Sequence, residues 1–475
     1  MDCINKPCYI CGEKSHSTQT CPHRLAPQLS CLPADEARVS DGGIIKSLIE
    51  RERGMKRMYQ SPAPAPGAWE IDAAVIKLHA RRTTCIEFHP TRSNIVISGD
   101  KHGQVAVWDI DKVFERTVYT QINKWLTNNI KCLKYGSSDH FATSSYDGTV
   151  KIFDVDLGLP IRTLVDASPE GWEHVEEADK AGRWVTFIGL DTVTNGLVVS
   201  GASNGKLYFL DTRSPRPASV MQSHKPKTKI QSVNANPVNT NLILTAGNDY
   251  FARIHDLRRL GHNDNVALPK TVLTHAELTN FEHPRVINAA QFSPNTGKKI
   301  LTTCQDNRLR VWDDWEMAAM GNEEAECSRV IVHSHTFSRH LTPFKAEINP
   351  QDPSERLAII GRYISEDYGG FALHPIDLFD ISTGAIVGSL VDPNLTTISP
   401  VNRFHPRRDV IITGSSRSLY AWKPKEQDKQ GIPSMEIDPS LPSSSSGFRG
   451  STQPRGSTNY TFFDAEDDER KKKKK

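Results

Sequence analysis

The densest chemistry in the sequence lies at its start, where Cys8, Cys11, His16 and Cys21 are spaced Cys-x2-Cys-x4-His-x4-Cys. This is the spacing of a zinc knuckle. Three thiolates and one imidazole close a tetrahedral shell and leave no position for a reactive water, so the expected zinc is structural. Gly12 permits the tight turn after the second ligand, while Cys3 and His23 are alternative ligands whose spacing fits less well. Such a knuckle either holds single-stranded nucleic acid against an aromatic, here Tyr9 with Lys6, Lys14 and Arg24 around it, or serves folding or a protein contact. A second store of chemistry is cationic. Lys and Arg total 58 against 56 Asp and Glu, a net charge of +2, so any affinity for phosphate must come from local clustering rather than from the overall balance. No Gly-rich phosphate loop, nucleophile elbow or spaced His/carboxylate set is present, which argues for binding rather than catalysis.

The elements that must position these groups are short strands. Apolar segments of period two recur along the chain and close on Val107-Trp108-Asp109, Ile152-Phe153-Asp154, Phe209-Leu210-Asp211, Ile254-His255-Asp256, Val311-Trp312-Asp313, Leu378-Phe379-Asp380 and Tyr420-Ala421-Trp422. Turns rich in Asp, Asn and Gly precede five of the closings, including Tyr146-Asp147-Gly148 and Gly247-Asn248-Asp249. Seven closings imply seven repeats, and the pattern resembles the WD-repeat family over residues 75–424. The fold class expected is therefore all-β, a seven-bladed propeller whose function depends on which side chains decorate each rim. Residues 1–25 form the knuckle, residues 26–70 a helical segment and linker, and residues 425–475 a disordered tail, rich in Ser (Ser443 to Ser446) and ending in Lys471 to Lys475. No apolar run is long enough for a membrane span, and no secretory signal is evident.

In a propeller, the connections between blades and the turns between second and third strands emerge on one rim. The connections carry Arg81 and Arg82, then Lys225, Lys227 and Lys229, then Arg285; the turns carry Lys101, His102, Tyr146, Tyr250, Arg308, Arg362 and Arg417. Basic and aromatic groups thus converge as a DNA backbone requires, although scattered loop cations beside acidic neighbours would produce the same count. The connection into the sixth blade, from about Cys327 to Pro343, is longer and contains Phe337 among His333, His335, Arg339 and His340. Phe337 either packs on the propeller or acts as an apolar wedge, and a wedge enters a base stack most cheaply where a lesion has weakened it.

Here His340-Leu341-Thr342-Pro343-Phe344-Lys345-Ala346, with Gly361-Arg362-Tyr363 and Ile376 to Asp380, resembles the small-subunit family of the damaged-DNA-binding heterodimer, in a plant-type version. The resemblance implies an ultraviolet-damage receptor for pyrimidine photodimers, docked on a cullin ubiquitin ligase, initiating nucleotide excision repair in the nucleus. It implies DNA contacts at Arg81, Lys101, Lys229, Phe337, Arg339 and His340, to which the sorting by rim adds Tyr146 and Arg362. The family inserts an aromatic-Gln-His hairpin directly before Leu-Thr-Pro, whereas this chain has Ser338, Arg339 and His340 there, with Phe337 one residue earlier. It further implies that Asp256 and Arg258, in His255-Asp256-Leu257-Arg258, face the adaptor, the large subunit of the heterodimer, with Leu210-Asp211-Thr212-Arg213 a weaker second copy. Ile44, Ile45, Leu48 and Ile49 recur at helical spacing and either pack on the propeller or slot into the adaptor. Chromatin or histones are further expected partners. The alternative is a generic WD-repeat scaffold that binds histones or other proteins.

Overall fold

The computed structural model describes residues 68–425, apart from 121, 135, 169–184, 194–195, 215–216, 260–275, 321–325, 336–341, 364–374 and 396. The knuckle residues Cys8, Cys11, His16 and Cys21, the segment carrying Ile44, Ile45, Leu48 and Ile49, the C-terminal tail, and Phe337, Arg339 and His340 lie outside the described residues.

The described chain folds into seven four-stranded antiparallel sheets. Blade 1 runs from β2 (Thr83–Phe88) through β3 (Ile95–Asp100) and β4 (Val105–Asp109) to β5 (Arg116–Tyr119). Blade 2 begins with β6 (Thr127–Cys132), blade 3 with β10 (Phe187–Val193), blade 4 with β14 (Ile230–Ala235), blade 5 with β18 (Ile287–Phe292), blade 6 with β22 (Glu347–Ile348) and blade 7 with β26 (Val401–Phe404). Each blade carries apolar residues on both faces, so neither face can be left wet. The core accordingly lies in layers between adjacent blades: Ala142, Val150 and Ile152 of blade 2 meet Phe187, Leu190 and Val198 of blade 3 in one such layer. The seven-bladed WD-repeat propeller expected from the strand closings is the architecture observed.

Two boundaries differ from the sequence reading. The propeller starts at Trp69, not residue 75. β1 (Trp69–Val75) pairs along β28 (Ser418–Pro424), with Trp69 opposite Pro424 and Val75 opposite Leu419, and supplies the outermost strand of blade 7. This join between the two ends of the domain closes the ring and covers an otherwise open sheet edge. The connection into blade 6 also begins later than Cys327, because Arg329–Val332 forms β21, the outer strand of blade 5, paired with β20 (Arg308–Trp312). Among the described residues, no helix is long and apolar enough to cross a membrane.

The innermost strands line the axis with balanced charge. Arg403 donates to Glu87 at 3.2 Å and lies 3.0 Å from the Glu347 carboxylate, and Lys131 approaches Glu87 at 3.3 Å, joining blades 1, 2, 6 and 7. Burial pushes the Glu347 carboxyl up to about 7 against the pull of Arg403 and Lys131.

Candidate nucleic-acid interface

The rim formed by the inter-blade connections and the second-to-third-strand turns, here the upper rim, is organised by buried turn aspartates. Asp100, fully buried, accepts the backbone N–H groups of Arg81 at 3.1 Å and His102 at 2.8 Å, while the Lys101 N–H donates to Arg82 O at 2.9 Å. Arg81 and Lys101, both exposed, are thereby fixed side by side. Desolvation pushes the Asp100 carboxyl upward, opposed by these N–H bonds. In blade 2, Asp147 accepts the Lys124 N–H at 2.9 Å. Asp249 does the same in blade 4 for Lys225, at 3.3 Å. Burial pushes Asp249 up, but His224 and Arg253, both 2.7 Å away, outweigh it and hold the carboxyl below its ordinary value.

Tyr146 and Lys229, expected on this rim from separate repeats, are brought together. The Lys229 ammonium lies 5.5 Å from the centre of the Tyr146 ring, which also meets Trp125 edge-on at 5.1 Å. A cation held over an aromatic face keeps its charge while losing rotamer freedom, which suits a phosphate contact. Arg362 departs from the expectation. It is largely buried, its Nε donating to Asp377 Oδ2 at 2.6 Å, because Asp377 is itself sealed in blade 6 and needs a counter-charge. Its guanidinium is thereby held on Asp377 inside blade 6 rather than presented on the rim.

What Arg362 supports is the base of the long connection. His333 donates through Nε2 to Asp377 Oδ2 at 2.9 Å, and His335 donates through Nε2 to Cys304 O at 2.7 Å. The two imidazoles are stacked, with centroids 5.4 Å apart, and both are buried. Burial holds both below the ordinary histidine value, His335 at about 3, so both are neutral at pH 7. Ser334 and Tyr363 exchange hydrogen bonds of 2.8 Å, tying the same stem to blade 6. On the far side of residues 336–341, the Thr342 hydroxyl donates to Thr83 O at 3.2 Å, and Phe344 is buried. Thr83 follows Arg81 and Arg82 directly, so one stem of the connection is anchored at blades 5 and 6 and the other beside the blade 1 cations. The sequence reading missed this anchoring. His333 and His335 alternate with Ser334 without a local apolar pattern, and only the distant Asp377 and Cys304 account for their burial.

On the opposite rim, Asp256 is buried at the end of β16 (Phe251–Asp256), and Arg258 grips it with two bonds, Nε to Oδ1 at 3.0 Å and Nη2 to Oδ2 at 2.8 Å. Arg213 holds Asp211 in the same way, with both bonds at 3.0 Å. These arginines lower the pKa of the carboxyl each one grips. Most of the Arg258 side chain, 64%, stays exposed, so a preoriented guanidinium faces outward. Among the strand closings, only these adjacent blades carry Asp-x-Arg. His255, at the position where blades 1 and 5 have Trp108 and Trp312, is buried and hydrogen-bonded to Ser223 at 2.7 Å and Thr245 at 3.2 Å.

A ring of seven WD-repeat blades, with a cationic, aromatic upper rim and a paired arginine motif below, defines a WD-repeat recognition scaffold. The chain matches the WD domain, G-beta repeat family at residues 73–109, 118–154 and 276–313, that is, blades 1, 2 and 5. It is 40% identical over 430 residues to DNA damage-binding protein 2 of Oryza sativa subsp. japonica, covering 90% of this chain and 69% of that one. Protein DAMAGED DNA-BINDING 2 of Arabidopsis thaliana is 41% identical over 431 residues, 90% of this chain and 72% of its own. DNA damage-binding protein 2 of Gallus gallus is 28% identical over 73% of this chain and 63% of its own. The chain belongs to the DNA damage-binding protein 2 family.

Proposed function

We propose that this protein recognises ultraviolet-damaged duplex DNA, pyrimidine photodimers in particular, with its upper rim. The observation that carries this reading is the anchoring of the long connection: one stem is pinned at blades 5 and 6 and the other at Thr83 of blade 1, so both stems end at the rim that holds Arg81, Lys101 and Lys229. The two closely related proteins carry names that state binding to damaged DNA, which supports it. In this reading the cations clamp phosphates, Phe337 and His340 fill the space left by an extruded lesion, and Arg339 adds a phosphate contact. The preference for damage is energetic, since unstacking costs least where pairing is already broken.

The lower rim, through Asp256 and Arg258, together with Ile44, Ile45, Leu48 and Ile49, holds the large subunit of the damaged-DNA-binding heterodimer. That subunit is the adaptor of a cullin ubiquitin ligase, so the protein supplies location and the ligase supplies chemistry on chromatin, histones or the receptor itself, opening the lesion to nucleotide excision repair in the nucleus. Cys8, Cys11, His16 and Cys21 hold a structural zinc, for which three thiolates and an imidazole are a fitting closed donor set. The test is titration of the full chain against one irradiated duplex over a range of salt concentrations. Affinity should fall with salt, and Lys229→Glu should weaken binding and flatten the log–log slope by about one. An unchanged slope in the variant would remove Lys229 from the clamp.

A further inference from the structure

The third residue after the second strand takes a left-handed backbone in blades 1 to 5, and four of those five blades fill it with a residue that tolerates this cheaply. Gly103, Gly148 and Gly205 have φ of 87°, 86° and 80°, and Asn307 has 62°. Blade 4 instead places Tyr250 there, at φ 73°. The backbone task is common to all five: each carbonyl accepts an N–H from the connection that leaves the blade, in blade 4 from His283 at 2.9 Å. A glycine would serve this purpose with less strain. In blades 1 and 3 the connection closes over the turn, and a Cβ on Gly103 or Gly205 would lie 2.4 Å from a backbone oxygen. In blade 5 the Asn307 side chain has a structural task, accepting the His335 N–H at 3.1 Å. Tyr250 has no such task. The residue is 46% exposed, and no side-chain hydrogen bond holds its hydroxyl among the described residues.

The surroundings suit nucleic acid. Lys225 and Lys227 are exposed on the connection into the same blade, Lys227 itself at φ 64°, and Arg285 is exposed on the connection leaving it. Asp249, beside Tyr250, is buried and neutralised by Arg253 at 2.7 Å, and one exposed carboxylate, Glu282, lies on the outer strand opposite Phe251. A strained, outward aromatic flanked by cations is the arrangement that stacks on a base while the chain's phosphates are held alongside. We propose that Tyr250 is a stacking site for an unpaired nucleobase, separate from the 336–341 connection. This rests on the upper rim binding DNA.

The variant Tyr250→Asn puts into blade 4 the residue blade 5 already uses, and Tyr250→Phe keeps the ring. Melting temperature and affinity for an irradiated duplex and for a single-stranded oligonucleotide of the same sequence are measured on the full chain. The Asn variant should melt at or above the parent temperature yet lose about tenfold in affinity for both DNAs, the low end for one lost stack, while the Phe variant stays within about twofold. Parent-like binding by the Asn variant would overturn the proposal while leaving DNA recognition intact. A lowered melting temperature in that variant, with affinity falling only in proportion, would make the ring structural. Equal loss in the Phe variant would assign the contact to the hydroxyl instead, and failure of the parent chain to bind either DNA would bring down both readings.

Discussion

Acidification should destabilise this propeller steeply. Burial lowers His79 and His283 to about 4 and His255 and His335 to about 3, and each is nearly inaccessible to solvent. In the unfolded chain the same groups titrate near 6.5, so the unfolded state takes up more protons between pH 6.5 and the folded values. Their contribution to stability is therefore complete above pH 6.5 and is lost as the pH falls. At pH 5 each unfolded histidine is almost fully charged, which costs the native state about 2 kcal/mol per group and about 8 kcal/mol for the four. Glu347 works in the opposite direction. Its folded value of about 7 lies above the unfolded carboxylate, so it gains about 2 kcal/mol over the same interval. The net loss of about 6 kcal/mol is comparable to the whole stability of many domains. Urea denaturation followed by tryptophan fluorescence at pH 7.5 and 5.0 measures it. Replacing His255 by the tryptophan that blades 1 and 5 use at this position should return about 2 kcal/mol of the difference. A denaturation midpoint unchanged between pH 7.5 and 5.0 would refute the assignment of these histidines as buried and neutral.

Three further outcomes follow from particular contacts. Gly361→Ala places a Cβ 2.1 Å from Ser399 O and 2.9 Å from the Phe344 ring, beneath the long connection. It should cost about 3 kcal/mol, read as a lower denaturation midpoint. Arg258→Glu sets a carboxylate against buried Asp256 and should reduce co-purification with the large subunit at least tenfold, by the usual scale of a lost charge pair, without changing DNA affinity. Full-length protein should carry about one zinc per chain by elemental analysis, and Cys11→Ser should release it; retained metal in that variant would point to Cys3 or His23 as a ligand.

The repeat was legible because six of the seven blades close on an apolar strand before Asp, and because period-two patterning survives in all seven. Strand β1 was harder to see. Trp69, Ile71 and Ala73 alternate like any strand, but their partner β28 lies at the other end of the domain, and pairing at such separation leaves no local trace. The rim cations could be sorted from the repeat alone, and the structure places Arg81, Lys101 and Lys229, with the Tyr146 ring, on the upper rim. Arg362 could not be sorted, since the glycine before it and the tyrosine after it read as a loop. Its burial depends on Asp377 and His333, residues that local pattern does not connect. Tyr250 could be placed on the rim from the repeat, but its left-handed backbone, where blades 1, 2, 3 and 5 have Gly or Asn, shows only when the five turns are compared by their backbone.

Binding of the full chain to an irradiated and an intact duplex of one sequence, at a single salt concentration, with Phe337→Ala alongside, tests damage recognition most directly. The parent chain should prefer the irradiated duplex by at least about tenfold, and the variant should bind both duplexes alike while keeping the parent's affinity for intact DNA. Equal binding of the parent chain to both duplexes would contradict damage recognition and leave a scaffold for protein partners in its place.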